Sequence, residues 1–397
     1  MNIGAEPRYA RIHAAARKVN RHRAIADRED PKRIIDSQDK MNTEPGKTEK
    51  VDMDSIATLL GVSKTTVHYA IHNTGRLSDQ TRKRVLKLVD RMGYRPDGLA
   101  RSFRRGRTDT LGVVLVTLTN STHAHLLEGV ESVAQQHGHA ILVACSHGHS
   151  DVERSLVNVL LEKGVDGLVV VPSDPTQNHA FYKSLLKKGV RLVFVDREIP
   201  DLNAELVSTD HEKGGYMEAQ HLVKLGRTRL VCVATRLPEH RSTSVRDRLS
   251  GIDRALREAG LPAPTVLGTD PPGFAVHEQY GYEVMRTFLN KGAGDFDAVC
   301  AVHDGLAYGA IRALTEAGLR VPKDVAVVGF DDQDPSAYFQ PPLTTVRQPM
   351  REIGMEAGRL LFRPLSETGA NATRRRIVLE PTLVVRESSG AAKAREA

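Results

Sequence analysis

Lys64, Thr65, Thr66 and His68 follow Ser63 at the spacing of the first turns of a helix. A lysine suits the acceptor atoms of guanine, and a threonine offers a hydroxyl to base edges or a methyl contact to thymine. The elements that would hold these side chains are legible around them. A first helix is expected to open at Asp54 or Ser55 and bury Ile56, Leu59 and Leu60, followed by a tight turn at Gly61. Ser63 then caps the second helix, in which Tyr69 is placed as a core residue because of its large apolar area. Ser78 caps a third helix with Asp79 in its first turn and Val85, Leu88, Val89 and Met92 at helical spacing, ended by Gly93 and Pro96. Two short helices joined through a glycine turn describe a helix-turn-helix, whose second helix reads the DNA major groove. A further short helix, Gly98 to Arg105 with Asp97 as its cap, carries Leu99 and Phe103 on one face among Arg101, Arg104, Arg105 and Arg107. It is too short to be stable alone and should order only against a partner.

Charge points the same way. Between Asp54 and Thr108 there are twelve cations and four anions, a net of about +8, the electrostatic footprint of a phosphate binder. The whole 397-residue chain carries +7, so the remainder is near neutral or slightly acidic. A 40% hydrophobic content fits a soluble protein with a large core, and no apolar run is long enough to span a bilayer. The basic N-terminus lacks an apolar signal segment, so the expected location is the cytoplasm, in association with the nucleoid. Cys145, Cys232 and Cys300 have no metal-ligand spacing and read as reduced, buried thiols. Residues 1–50 are charged and alanine-rich with no sustained apolar stripe, and read as a disordered basic extension. Translation from Met41 or Met53 is the alternative account of them.

From Thr110 onward, apolar runs of strand length alternate with helical stretches. The first series runs Leu111–Leu118, a helix Leu126–Gln136, Ala140–Cys145, a helix Val152–Leu161, Gly167–Val171, a helix Phe181–Lys188 and Arg191–Asp196. A second series is expected to begin at Leu206 and to continue through helices Gly214–Leu225, Val245–Ala259, Gln279–Leu289 and Gly305–Ala317, with strands at Leu230–Ala234, Pro264–Gly268, Ala298–Val302 and Val325–Gly329. The fold class is therefore α/β. An N-terminal three-helix domain (51–96) and a hinge helix with linker (97–109) precede a two-lobed body with parallel sheets (110–390), and a disordered tail (391–397) follows. Ligands of open α/β sheets bind beyond the carboxyl ends of the strands, which both lobes aim into the cleft between them.

The chain resembles the LacI-type family of bacterial transcription regulators. The resemblance rests on Ala57…Gly61-Val62-Ser63…Thr66-Val67, Gly93-Tyr94-Arg95-Pro96…Ala100-Arg101, Val165-Asp166-Gly167-Leu168 and Asp196-Arg197. It continues in Arg248…Gly251, Asp304…Ala307…Gly309-Ala310, Val321-Pro322…Asp324-Val325 and Val328-Gly329-Phe330-Asp331-Asp332…Pro341-Pro342-Leu343-Thr344-Thr345-Val346, and closes on Arg386-Glu387-Ser388. It implies a periplasmic-binding-protein-like body and a DNA-contact set of Ser63, Lys64, Thr65, Thr66, His68, Tyr94, Arg95, Leu99, Ala100, Arg101 and Phe103. Phe103 stands where the family has a leucine that wedges into the minor groove. His68-Tyr69 stands where the family commonly has Ser-Arg, so His68 takes over a phosphate contact. The implied effector set is Asn120, His123, His125, Arg197, Arg248, Phe274, His303 and Asp331, with Arg248 gripping ligand hydroxyls or a carboxylate and Asp331 accepting from hydroxyls. Asp304 is expected to cap the helix that follows it.

The partners so implied are a pseudo-palindromic double-stranded operator, a small effector, most simply a sugar inducer, and a second copy of the chain in a homodimer. A corepressor of nucleobase type is the alternative effector. A free solute-binding protein would need an export signal and no helix-turn-helix. Glycine-rich phosphate loops, nucleophile elbows and His-Glu-x-x-His zinc sites are absent from the sequence, so no enzyme and no cofactor are expected. The pairs His123/His125, His137/His139 and His147/His149 read as solvated surface residues, not as metal ligands.

Overall fold

The computed structural model describes residues 52–94, 106–174, 176–234, 242–268, 277–292, 294–364 and 374–390. The expected basic extension, the hinge helix and the C-terminal tail fall outside them, as do Arg95, Leu99, Ala100, Arg101, Phe103 and Phe274. The chain divides into two compact units, Met1–Pro96 and Asp97–Ala397.

In the first unit α1 spans Met53–Leu60, α2 Lys64–His72 and α3 Asp79–Arg91. Asp52, Ser63 and Ser78 cap them, each side-chain oxygen accepting a first-turn backbone N–H. Gly61 and Gly93 both take the left-handed conformation that ends a helix at no steric cost. Ile56, Ala57, Val67, Ala70 and Val85 form a small core. The expectation that Leu59 is buried is wrong, since it is 63% exposed. The core stripe of α1 runs through Ile56, Ala57 and Leu60, and Leu59 lies off that stripe on a two-turn helix.

The second unit holds two six-stranded sheets. The first orders β2 (Ala140–Cys145), β1 (Thr110–Leu115), β3 (Gly167–Val170), β4 (Leu192–Val195), β5 (Glu205–Thr209) and β11 (Arg376–Leu379), all parallel. The second orders β7 (Thr265–Leu267), β6 (Leu230–Val233), β8 (Ala298–Ala301), β9 (Ala326–Asp331), β10 (Thr344–Arg347) and an antiparallel β12 (Thr382–Val384). Helices α4 (Ser121–Gln136), α5 (Ser150–Glu162) and α6 (His179–Lys187) belong to the first lobe. Helices α7 (His211–Lys224), α8 (Thr243–Glu258), α9 (His277–Asn290) and α10 (Asp304–Glu316) belong to the second. The strand at Leu206 therefore belongs to the first sheet, between β4 and β11, and does not open the second series as the sequence suggests. After β10 the chain returns to the first lobe as α11 (Met350–Leu361), which packs on α4 so closely that a Cβ on Gly129 would lie 2.1 Å from the Arg351 carbonyl oxygen. It then adds β11 to one sheet and β12 to the other, so three crossings join the lobes.

Candidate functional site

The exposed face of α2 is the first site. Its cap uses Ser63 and Thr66, because the Ser63 hydroxyl accepts the Thr66 N–H at 3.1 Å and lies 2.9 Å from the Thr66 hydroxyl. Thr65 and Lys64 are exposed beside them, and the Lys64 ammonium pairs with Asp54 at 2.6 Å. The hydrogen bond that Lys64 donates to Asp54 raises the lysine's pKa, so it stays charged, and an exposed ion pair is readily exchanged for a phosphate or a base acceptor. The His68 ring packs against that of His72 in a tilted arrangement, with centroids 4.4 Å apart. Tyr69 is not in the core: it is 38% exposed, off the Val67–Ala70 stripe, and covers Gly75, where a Cβ would meet its ring at 2.4 Å. The ring thus lies over the turn after α2, not in the core where its apolar area had placed it. Tyr94 is half-buried against the small core.

The second site lies where strand ends of the two lobes meet. Arg248, on α8, is 5% exposed and lies 3.7 Å over the Phe330 ring. Its guanidinium donates to the Val302 carbonyl and to His211 Nδ1, and stands 3.9 Å from Asp196 and 3.8 Å from Asp331. Asp196 follows β4, His303 follows β8 and Asp331 ends β9, so the sheets deliver all three to the cleft. Burial pushes the Asp196 carboxyl up, but the His211 hydrogen bond, with Arg197 and Arg248, outweighs it and holds the group well below the usual range. Asp331 is raised by burial against the pull of Arg248, and Gln348 donates to it at 2.7 Å.

Around these paired charges stand neutral imidazoles. His303 is buried, neither ring nitrogen has a hydrogen-bond partner among the described residues, and its ring lies 4.0 Å from that of His277. Burial, then Arg197 and His123, bring His277 down to about 4; burial lowers His303 and His123 as well. His123 binds the Thr117 carbonyl at 2.8 Å, and Arg197 pairs with Asp196 at 3.3 Å. Asn120 and His125 are engaged elsewhere. Asn120 caps α4 through Thr122, and His125 reaches across the lobes to Asp334 at 3.2 Å. A cavity of about 370 Å³ beside Asp331 is lined by residues of both lobes, among them Thr122, His125, Arg347 and Gln348.

Residues 52–97 match the model of the lacI family of bacterial regulatory proteins, and residues 219–389 match a periplasmic binding protein-like domain. The transcriptional regulator DegA of Bacillus subtilis is 31% identical over 86% of this chain and 98% of its own length. The chain belongs to the LacI family. The repressor PurR of Vibrio vulnificus is 29% identical over 84% of this chain and 97% of its own. The lac repressor dimer bound to operator and the anti-inducer ONPF superposes with a TM-score of 0.74 at 26% identity, over 86% of this chain and 100% of that one. A complex of the regulator CelR with cellobiose gives 0.61 at 28% identity, over 85% and 99%. This LacI-family chain is a DNA-binding transcription regulator and not an enzyme.

Within that family frame several residue readings change. Asp304 does not cap α10: His303 is the residue before the helix and makes no cap bond. The Asp304 carboxyl instead accepts from the Ser336 and Thr345 hydroxyls, each at 2.6 Å, and from the Gln333 N–H at 2.8 Å, which fixes the loop after β9. The Arg248…Gly251 motif has two parts with different work. A Cβ on Gly251 would lie 1.9 Å from the Glu212 carbonyl, so the glycine lets α8 touch α7 while the arginine enters the cleft. His211 and His277 escaped the sequence reading; each opens a helix, and only the fold shows which side chains it faces. The histidine pairs are not all solvated: His123 is buried, and His137 and His139 lie against Phe362 at 3.9 and 4.8 Å. Cys232 and Cys300 are buried as expected, but Cys145 is partly exposed. Among the described residues no helix is long and apolar enough to cross a membrane.

Proposed function

We propose that this protein represses transcription from a pseudo-palindromic operator, and that a sugar bound between its lobes sets its affinity for DNA. The observation that carries the sugar reading is His303, buried beside the Arg248–Asp331 pair with both ring nitrogens unpartnered among the described residues. A neutral imidazole both donates and accepts, as hydroxyls do, while the charges of Arg248 and Arg197 offset those of Asp196 and Asp331. The neighbouring cavity of about 370 Å³, which Asp331 and Gln348 line but His303 and Arg248 do not, lies in the size range of small-molecule sites. The His277–His303 ring pair favours a second reading, a nucleobase acting as corepressor.

Two copies are expected to pair through their lobes. The edge strand β2 leaves Leu142 and Val143 exposed, and such edges call for cover. Two reading helices would then address the two half-sites, in the cytoplasm and on the nucleoid. Arg95, Leu99, Ala100 and Arg101 would add contacts from the linker, and Phe103 would wedge between base steps. His125–Asp334 and the Asp334 N–H bond to Ser121 (3.2 Å) link the lobes, so a ligand that alters their closure alters where the linker begins.

The test is selection of bound sites from random duplex DNA, followed by a thermal-shift screen of monosaccharides, disaccharides and nucleobases. A palindrome released by a sugar, with the sugar's thermal shift lost in His303→Ala, is the expected result. A site bound only with a nucleobase present replaces the sugar reading. A ligand shift unchanged in His303→Ala overturns the assignment of the pocket.

A further inference from the structure

Asp109, His139 and Asp166 immediately precede β1, β2 and β3, which are neighbours in the first sheet. The parallel register sets Thr110 beside Ala140 and Leu111 beside Gly167, so three loops that are distant in sequence meet at the end of the sheet away from the cleft. One ligand atom of each residue lies within 4.8 Å of the others. We propose that these three side chains bind a divalent cation of the Zn²⁺ or Co²⁺ type.

The argument rests on the histidine tautomer. His139 Nδ1 lies 2.9 Å from the His137 carbonyl oxygen, which can only accept, so Nδ1 carries the proton and donates it there. Nε2, left to present its lone pair, lies 3.3 Å from an Asp166 carboxylate oxygen. Two acceptors in contact repel unless a proton or a metal ion lies between them. The His139 side chain is only 8% exposed, so bulk water screens that contact poorly. A donated Nδ1 proton with a free Nε2 is how metal-binding histidines are commonly oriented by their surroundings. Asp166 is oriented in turn by the Thr108 and Thr110 N–H groups, at 3.1 and 3.3 Å.

Tetrahedral ligands at about 2.1 Å from one zinc ion lie about 3.4 Å apart. His139 and Asp166, 3.3 Å apart, already have that spacing, and closure asks the third ligand atom, within 4.8 Å of them, to move in by about 1 Å. Arg107 holds Asp109 at 3.2 Å, but it is largely exposed and free to swing aside. One imidazole with two carboxylates and no thiolate suits borderline cations and leaves open positions for water. The chain that precedes Asp109 leads from the DNA-reading unit. A bound ion would therefore pin the point at which that chain enters the lobe.

The experiment uses the full chain, stripped with chelator and titrated with Co²⁺ while its visible absorption is followed. Wild type and His137→Gln are expected to bind one equivalent that Zn²⁺ displaces. His139→Gln and Asp109→Asn should bind about tenfold more weakly or worse. At a hundredfold excess over the wild-type Kd, Zn²⁺ should raise the wild-type Tm by about 5 °C and that of either variant by about half as much or less. Melting of the metal-free proteins identifies any variant that fails to fold, and Asp109→Asn serves where His139→Gln does. If wild type shows no saturable equivalent, or affinity is unchanged in His139→Gln, the proposal falls and His139 serves only to hold Asp166 and the loops around it.

Discussion

On the reading unit, Lys64, Thr65 and His68 come from a single helix and face outward, whereas the groups of the cleft, from Asp196 through Arg248 and His303 to Asp331, come from separate elements and are buried. The first set works in water, where each interaction is weak and exchanges easily for one with DNA. The second works at low dielectric, where a charge is tolerable only if another group offsets it. The difference shows in the bonds themselves. Lys64 holds one exposed aspartate, while Arg248 is held by a carbonyl, an imidazole, a phenyl ring and two carboxylates. A change in the reader should therefore alter recognition at small cost in stability, and a change in the cleft should do the reverse.

The largest test of that contrast is Arg248→Ala, which leaves Asp196 and Asp331 buried without their shared cation. A loss of about 3–5 kcal/mol is expected in denaturant unfolding of the lobes, together with loss of the ligand response. A loss below about 1 kcal/mol would show that the cleft charges do not depend on one another. Asp304→Asn should act next, through pH. Burial, and then Asp331, push the Asp304 carboxyl up to about 8 from the usual 3.8, so the folded state holds a proton that the unfolded state releases. The stability from that proton is complete below about pH 4 and is lost as pH rises to about 8. Asp304→Asn should flatten this slope in melts taken across the range; Glu218, also raised by burial, leaves a residual slope. An unchanged slope would place the titration elsewhere. The smallest effect belongs to the reader: Ser63→Ala removes the α2 cap, at about 1 kcal/mol, and should weaken DNA binding while ligand affinity stays the same. A fall in ligand affinity there would blur the distinction between the two regions.

How much was legible in the chain follows the same division. Ser63, Ser78, Gly61 and Gly93 signal their helix ends because a cap is a local bond, made within four residues. The cleft residues carried over from family motifs, Arg197, Arg248, His303 and Asp331, do lie near one another, but their partners His211, His277 and Gln348 have no such motif. Asp304 illustrates the limit. Its position before a helix suggested a cap, yet its carboxyl faces hydroxyls from Ser336 and Thr345, which only the return of the chain through β10 brings near. Tyr69 and Leu59 illustrate another, since an apolar side chain on a two- or three-turn helix has too little partner surface for composition alone to say whether it is covered.

The sequence by itself determined the helices of the reader, the basic charge around them and the alternation of strand and helix, because caps, charge and hydrophobic period are properties of neighbouring residues. The tertiary structure decided that Leu206 belongs to the first sheet, that α11 and β11 return to it, and that His139 meets Asp166 across two strands. Those outcomes depend on which strands pair, and pairing is settled by burial shared among segments far apart in the chain.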